Sequence, residues 1–164
     1  MRPGVRTVLI AALWVSLGGW IGAMTLFSAV VAPTAFRELP STQLAALVVG
    51  PVLRAVHLYG AAAGLVLAAL TLALDRGFGL AGLAVALSAL SLVSHFGVTA
   101  EISELRAAAF GANADPEALA RFNHLHRLSV WIYGTIGIGA LALAVLHARG
   151  ERLGGRPRKI SEFS

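Results

Sequence analysis

Residues 8–31 read VLIAALWVSLGGWIGAMTLFSAVV and contain no charged side chain. A helix needs about 20 apolar residues to cross the hydrocarbon core of a bilayer, so this stretch is long enough to span one. It follows Arg2 and Arg6, a basic start that also occurs in cleaved signal peptides. However, the apolar region of a signal peptide is only about 7–15 residues long, and Pro33 follows the small-residue exit here. We therefore predict a retained membrane-spanning helix.

The second apolar block, residues 44–74, is too long for a simple span and contains Gly50-Pro51. As one helix it would measure about 46 Å at about 1.5 Å per residue, whereas the bilayer core is about 30 Å thick. Since proline disrupts a helix interior, we expect a break or kink near Pro51. This predicts a short interfacial helix over residues 41–49 and a span over residues 52–74.

Two more spans complete the chain. The third, residues 78–99, follows the short Asp75-Arg76-Gly77 turn. The fourth helix starts with Asp115 as N-cap and Pro116 at the first helical position, and it spans residues 128–146.

The sequence thus predicts an all-α integral membrane four-helix bundle with the N and C termini on the same side. Its single domain covers residues 1–148, with spans at 8–31, 52–74, 78–99 and 128–146, and residues 149–164 form a basic, flexible tail. With 57% hydrophobic and 13% charged residues, the chain carries about half the charge of a soluble domain. The absence of cysteine excludes disulfides and thiolate metal sites.

Basic residues set the expected orientation, because lysine and arginine concentrate in cytoplasmic loops. Eight bases fall on the side of the termini and five on the other side, which predicts cytoplasmic termini in a plasma (inner) membrane. The net charge of +5 therefore reflects membrane orientation, and nucleic acid is not an expected partner. The lipid bilayer is the expected partner, and a homo-oligomer or another membrane protein stays open. Glycine pairs such as Gly18 with Gly22 and Gly60 with Gly64 indicate close helix packing.

Histidines cluster toward the side opposite the termini. On helical spacing His57 shares a face with Gly60, Gly64, Ala68 and Thr71, and His95 shares one with Ser88, Ser91 and Thr99. Since polar faces of membrane helices turn toward the bundle interior, we expect His57, His95 and His126 to meet there. In the fourth span His126 shares a face with Phe122, Ser129 and Tyr133. The supporting polar residues of the cluster are Arg54, Glu101, Ser129 and Tyr133.

The chemistry of this cluster has two interpretations. Imidazoles bind metal ions and can serve as axial ligands of a b-type haem, so His57, His95 and His126 form a candidate metal or ligand site. Alternatively, the polar groups hydrogen-bond to one another and stabilise the bundle without a cofactor. No catalytic template is complete: Ser129 and His126 share a face, but no acid completes a triad. We therefore assign no catalytic residue and expect a non-enzymatic protein.

Two motifs resemble a known family. The first is WIGAMTLFSAVVAP, residues 20–33, followed by TAFRELP, residues 34–40; the second is FNHLHRLS, residues 122–129. They resemble the transmembrane protein 205-like family, small four-span membrane proteins of unestablished activity. The residues that match its pattern are Trp20, Gly22, Pro33, Phe36, Arg37, Pro40, Phe122, His126 and Ser129. The resemblance implies the same four-span fold, with the loop that carries Pro33, Phe36, Arg37 and Pro40 lying over the histidine cluster.

Two functions are left open by these observations. The protein is either a membrane component whose polar cluster is structural or a small-ligand site, or a metal-ion or haem-binding protein used in transport, sensing or electron transfer.

Overall fold

The computed structural model describes residues 1–111 and 113–154, and over that range the chain forms four long helices and no strand. Helix α1 runs Pro3–Glu38, α2 runs Thr42–Ala73, α3 runs Phe78–Phe110 and α4 runs Pro116–Gly154. Each of the four is long and apolar enough to cross a membrane. The predicted all-α bundle of four membrane helices is confirmed.

Consecutive helices pack against each other, and α4 closes the bundle against α3 and α1. Because the number of spans is even, residues before α1 and the C-terminal part of α4 lie at the same end, which we call the terminal end. The opposite end, where α1 joins α2 and α3 joins α4, is called the distal end. The apolar core lies nearer the terminal end and contains Leu13, Leu17, Trp20, Leu67, Leu87, Ile136 and Leu143.

Glycine allows the closest approach in the bundle, between α2 and α3. A Cβ atom built on Gly64 would lie 2.8 Å from the Cβ atom of Ser88 and 2.9 Å from the carbonyl oxygen of Ala84. Ser88 uses this proximity to donate a hydrogen bond to the carbonyl oxygen of Ala61, 2.6 Å away. By contrast, Gly18 and Gly22 have nothing within 4 Å of such an atom, so this glycine pair faces outward.

Two wide turns change the helical phase near the distal end. The α1 segment Phe27–Val31 and the α3 segment Ser94–Thr99 are π-helical. The first lies just before Pro33, whose ring would clash with the carbonyl of Ala29 in a regular helix, and the wider turn relieves that clash. In the second, the buried residues are Ser94, Val98 and Thr99, so the buried face of α3 advances by four to five residues over this turn.

The helix does not break at Pro51, because α2 is helical without interruption from Thr42 to Ala73, and a kink there stays a prediction. Tertiary contacts hold the segment before the proline: α2 packs on the end of α1, and the Gln43 amide donates to the carbonyl oxygen of Phe110 at 3.2 Å. The extra length projects past the bilayer core, as it does in α1, α3 and α4. The predicted N-cap of α4 is confirmed, since Asp115 accepts from the backbone N–H of Glu117 at 3.0 Å.

A polar network at the terminal end was not predicted. Glu151 of α4 accepts from Arg76 at 2.7 Å and from the indole N–H of Trp14 at 3.0 Å. His147, 1% exposed, lies beside Thr71 and also contacts Arg76. The network therefore joins α1, the turn after α2, and α4. Residues 149–154 continue α4 as helix where the sequence predicts the start of the tail, and the rest of that predicted tail lies outside the described residues.

Candidate functional site

A cavity of about 520 Å³ lies between the distal parts of all four helices, and we call it the distal cavity. Apolar side chains from every helix form most of its wall, including Phe27 of α1, Leu53 of α2, Ile102 of α3 and Val130 of α4. Its size falls within the range of about 300–1,000 Å³ that is typical of small-molecule sites. The distal cavity is therefore the main candidate for a binding site in the described part of the chain.

Tyr133 closes the cavity toward the centre of the bundle. Its ring lies 5.7 Å from the ring of Phe27 and 6.1 Å from the imidazole of His57, measured between centroids. Its hydroxyl donates to the carbonyl oxygen of Met24 at 2.7 Å. The floor is thus an aromatic layer fixed by a hydrogen bond, with His57 directly beneath it.

The cavity lies across the boundary between the apolar and the charged parts of the helices. Moving toward the distal end, the uncharged stretches end at Arg37 in α1, Arg54 in α2, Glu101 in α3 and Arg127 in α4. Phe27 and Tyr133 lie within the uncharged stretches, whereas Arg106 lies beyond them. The floor is therefore at hydrocarbon depth and the mouth at the depth of lipid head groups.

Most charged groups around the mouth have a partner within the protein. Arg37 pairs with Glu38 at 2.7 Å, Arg121 forms a salt bridge with Glu101, and Arg54 donates to the hydroxyl of Ser103 at 2.6 Å. Arg106 lines the cavity, and its buried Nε has no hydrogen-bond partner among the described residues. It is thus the arginine of the cavity wall whose charge the described protein does not neutralise.

The three predicted histidines do not form one group. His57 is buried at 2% exposure, and His95 is half-buried. His126 is exposed, stacks on Phe122 with a centroid distance of 6.2 Å, and lines the distal cavity instead. In the described part of the chain no three His, Asp or Glu side chains are grouped as a metal ion would require.

His57 and His95 nevertheless lie among buried polar atoms that lack partners in the described protein. Both ring nitrogens of His57 and Nδ1 of His95 are in this state, as are the hydroxyl oxygens of Ser94 and Thr99. Since nearly all buried polar atoms in proteins are hydrogen-bonded to protein or to water, this group calls for a partner from outside the chain. Thr99 also lines the distal cavity, which connects this group to the cavity wall.

The helical faces that the sequence predicts are otherwise confirmed. His57, Gly60, Gly64, Ala68 and Thr71 are all buried on one side of α2. Phe122, His126, Ser129 and Tyr133 share the face of α4 that lines the distal cavity. Of the predicted supporting residues, Arg54 and Glu101 lie at the mouth, bound to α3 and α4 respectively.

The predicted loop over the cluster is largely wrong. Pro33, Phe36 and Arg37 belong to the last turns of α1, and residues 39–41, which include Pro40, connect α1 to α2. Phe36 still lines the distal cavity, so a helical turn takes the place that the sequence assigned to a loop.

Arg106 was not predicted as a site residue because the third span was expected to end at residue 99. In the structure α3 continues to Phe110, and Thr99, Ile102, Ser103, Arg106 and Phe110 form one wall of the cavity. These positions follow the spacing of a single helical face, which is the signal that could have identified them.

A sequence model for a protein family described as "Domain of unknown function (DUF4149)" matches residues 15–110 of this chain. The match covers more than half of the 164 residues. The chain belongs to the DUF4149 family. The DUF4149 match contains most of α1 and all of α2 and α3, and therefore three of the four helices that build the distal cavity. No curated protein and no solved structure gives a significant match to the chain.

Proposed function

We propose that this DUF4149 protein is a non-enzymatic membrane protein that binds a small amphipathic molecule in the distal cavity. The observation that carries the proposal is the cavity itself: its wall is mostly apolar from floor to mouth, and a few polar side chains lie among the apolar ones. Ligand sites of this kind combine a mostly apolar lining with a few polar groups that fix orientation. Ser129, His126 and Arg106 are the polar groups available for that role.

Filling the cavity tests this proposal. Ala46 lines it, whereas the next residue, Leu47, is 59% exposed on the outside of α2 and does not line it. We expect Ala46→Trp to abolish co-purification of amphipathic molecules detected by native mass spectrometry, and Leu47→Trp to leave it unchanged. Equal ligand content in the wild type and both variants would contradict the proposal.

We also propose that this protein is related to the transmembrane protein 205-like family and that the residues matching the family pattern serve the distal cavity. The two motifs are more than 80 residues apart in sequence, yet Phe36 of the first and Phe122, His126 and Ser129 of the second line the same cavity. Such convergence is expected if the motifs serve one site. Substituting Phe36 and Ser129 separately should then change ligand content in the same direction.

A metal ion or haem is a second candidate, supported by the unpartnered ring nitrogens of His57 and His95. The test is elemental analysis together with a visible spectrum of the detergent-purified protein. Stoichiometric metal or a Soret band that is lost in His57→Leu and kept in His124→Leu would support it, because His124 is exposed. A metal-free, colourless wild-type protein would remove this candidate.

We propose that the protein lies in the plasma membrane with its termini in the cytoplasm, so that the distal cavity faces outward. The excess of bases at the terminal end supports this orientation. Reporter enzymes fused after residue 164 and inserted between residues 39 and 41 should be active on opposite sides of the membrane.

A further inference from the structure

Arg106 combines a fixed position with a charge that has no counterpart in the cavity. It faces Gly50 across the α2–α3 interface, where a Cβ atom on that glycine would lie 3.8 Å from a terminal guanidinium nitrogen. The guanidinium group of Arg106 therefore lies close to the backbone of α2 at the cavity wall. The buried Nε has no partner among the described residues.

The cavity wall is positively charged overall. No Asp or Glu is among the described residues that line it. Among the acidic side chains at the distal end, Glu38 pairs with Arg37 and Glu101 pairs with Arg121. Glu104, two residues before Arg106, is exposed, and side chains two apart on a helix point in different directions.

A partly buried arginine of this kind is suited to an anion. The guanidinium group presents Nε and a terminal nitrogen in a planar fork that matches the two oxygens of a carboxylate or phosphate. Gln43 also lines this part of the cavity, and its amide nitrogen, which donates one hydrogen to the carbonyl oxygen of Phe110 at 3.2 Å, carries a second hydrogen for an anion. A bound anion would therefore find a polar neighbour as well as the opposite charge.

The rest of the cavity wall is apolar and therefore favours a ligand in which an apolar chain is attached to that anion. Below Arg106 the wall contains Val49, Leu53, Val130 and Phe27, and the floor lies at hydrocarbon depth. A cavity of about 520 Å³ is of small-molecule size, which favours one chain over two.

We infer that the ligand of the distal cavity is a single-chain amphiphile with a carboxylate or phosphate head group bound by Arg106. This inference rests on the proposed function and adds the chemical class of the ligand. Arg106 binds the anion, and the apolar wall below it holds the chain.

Thermal unfolding of the full chain in a neutral detergent tests the inference with defined probes. Palmitate and a lysophosphatidic acid should each raise the melting temperature of the wild type, and hexadecanol, which carries the same chain without charge, should raise it less. Acetate and inorganic phosphate, which lack a chain, should have no effect, and a two-chain phosphatidic acid should have less effect than either single-chain anion. If acetate or phosphate alone reproduces the full shift, the site binds free anions and the inference fails.

Arg106→Gln provides the decisive variant, and Arg127→Gln is its control because Arg127 is exposed at the same end and does not line the cavity. We expect Arg106→Gln to weaken palmitate binding at least tenfold and to leave hexadecanol binding unchanged. Unchanged palmitate affinity in Arg106→Gln would overturn the inference while leaving the proposed function intact. By contrast, if no amphiphile with any head group stabilises the wild type relative to Ala46→Trp, the proposed function itself fails.

Discussion

The hydroxyl of Tyr133 donates a hydrogen bond to the carbonyl oxygen of Met24, 2.7 Å away, and this contact joins α4 to α1 at the floor of the distal cavity. The same carbonyl accepts from the hydroxyl of Ser28 at 3.0 Å. Both contacts lie just before and within the π-helical turn that starts at Phe27. The turn that reshapes α1 is thus fixed to α4 where the cavity begins.

Removing this hydroxyl should weaken the bundle measurably. Hydrogen bonds between membrane helices contribute about 0.6 kcal/mol on average and up to about 1.7 kcal/mol. We expect Tyr133→Phe to lower the free energy of unfolding in detergent by an amount in this range. Tyr59→Phe is the control, because Tyr59 is 44% exposed and its hydroxyl donates no hydrogen bond within the described residues. Equal stability of the two variants would show that the Tyr133 contact is not formed.

The two glycine pairs should respond differently to the same substitution. Gly64→Ala places a methyl group 2.9 Å from the Ala84 carbonyl oxygen, a backbone atom that cannot rotate away. Overpacking of this kind typically costs about 1–3 kcal/mol. Gly22→Ala meets open space and should change the free energy of unfolding by less than about 0.5 kcal/mol. Unfolding curves of both variants check this, and a larger loss in Gly22→Ala would contradict the packing described for α1.

The Arg76–Glu151 pair at the terminal end should couple more strongly than the exposed pair at the distal end. The side chains of Arg76 and Glu151 are 11% and 33% exposed, whereas those of Arg37 and Glu38 are 70% and 62% exposed. Exposed ion pairs contribute about 0–1 kcal/mol, and removing one partner of a buried pair costs considerably more. A double-mutant cycle on Arg76→Ala and Glu151→Ala should therefore give a coupling energy above about 1 kcal/mol.

A matched cycle on Arg37→Ala and Glu38→Ala should give a coupling energy close to zero. Tryptophan fluorescence gives a second measurement. The emission of Trp14 should change in Glu151→Ala, because this substitution also removes the hydrogen-bond acceptor of the Trp14 indole N–H. Equal coupling energies in the two cycles would show that the lower exposure of the Arg76–Glu151 pair does not strengthen it.

The sequence was sufficient for the fold because hydropathy and helical phase act locally. Four uncharged stretches required four membrane helices, and the spacing from His57 to Thr71 correctly identified the buried face of α2. It was not sufficient at Pro51, where contacts with α1 and α3 outweigh the local preference to break the helix. Nor could it decide which glycine pair lies at an interface, since Gly18 and Gly22 have the same spacing as Gly60 and Gly64.

The site was predicted only in part, because its position depends on how far the helices continue past the bilayer. Arg106 was missed because α3 was expected to end at residue 99, whereas it continues to Phe110. The helical turn that carries Phe36 was missed because residues 33–37 were expected to form a loop. Regular spacing placed His95 on the buried face of α3, whereas Ser94 is fully buried and His95 is half-buried at the start of the π-helical turn Ser94–Thr99. Wide turns of this kind have no simple sequence signal.

Replacing His57 with an apolar residue distinguishes the two open interpretations of the histidine pair. Both of its ring nitrogens are buried without a partner in the described protein, and an unsatisfied buried polar group costs about 1–3 kcal/mol. Leucine is apolar and of similar size, so His57→Leu should raise the free energy of unfolding of the metal-free protein by about 1 kcal/mol. His124→Leu, at an exposed position, should change it little. A loss of more than about 1 kcal/mol in His57→Leu alone would instead mean that the His57 nitrogens are bound, and metal analysis of the wild type would then identify or exclude an ion as their partner.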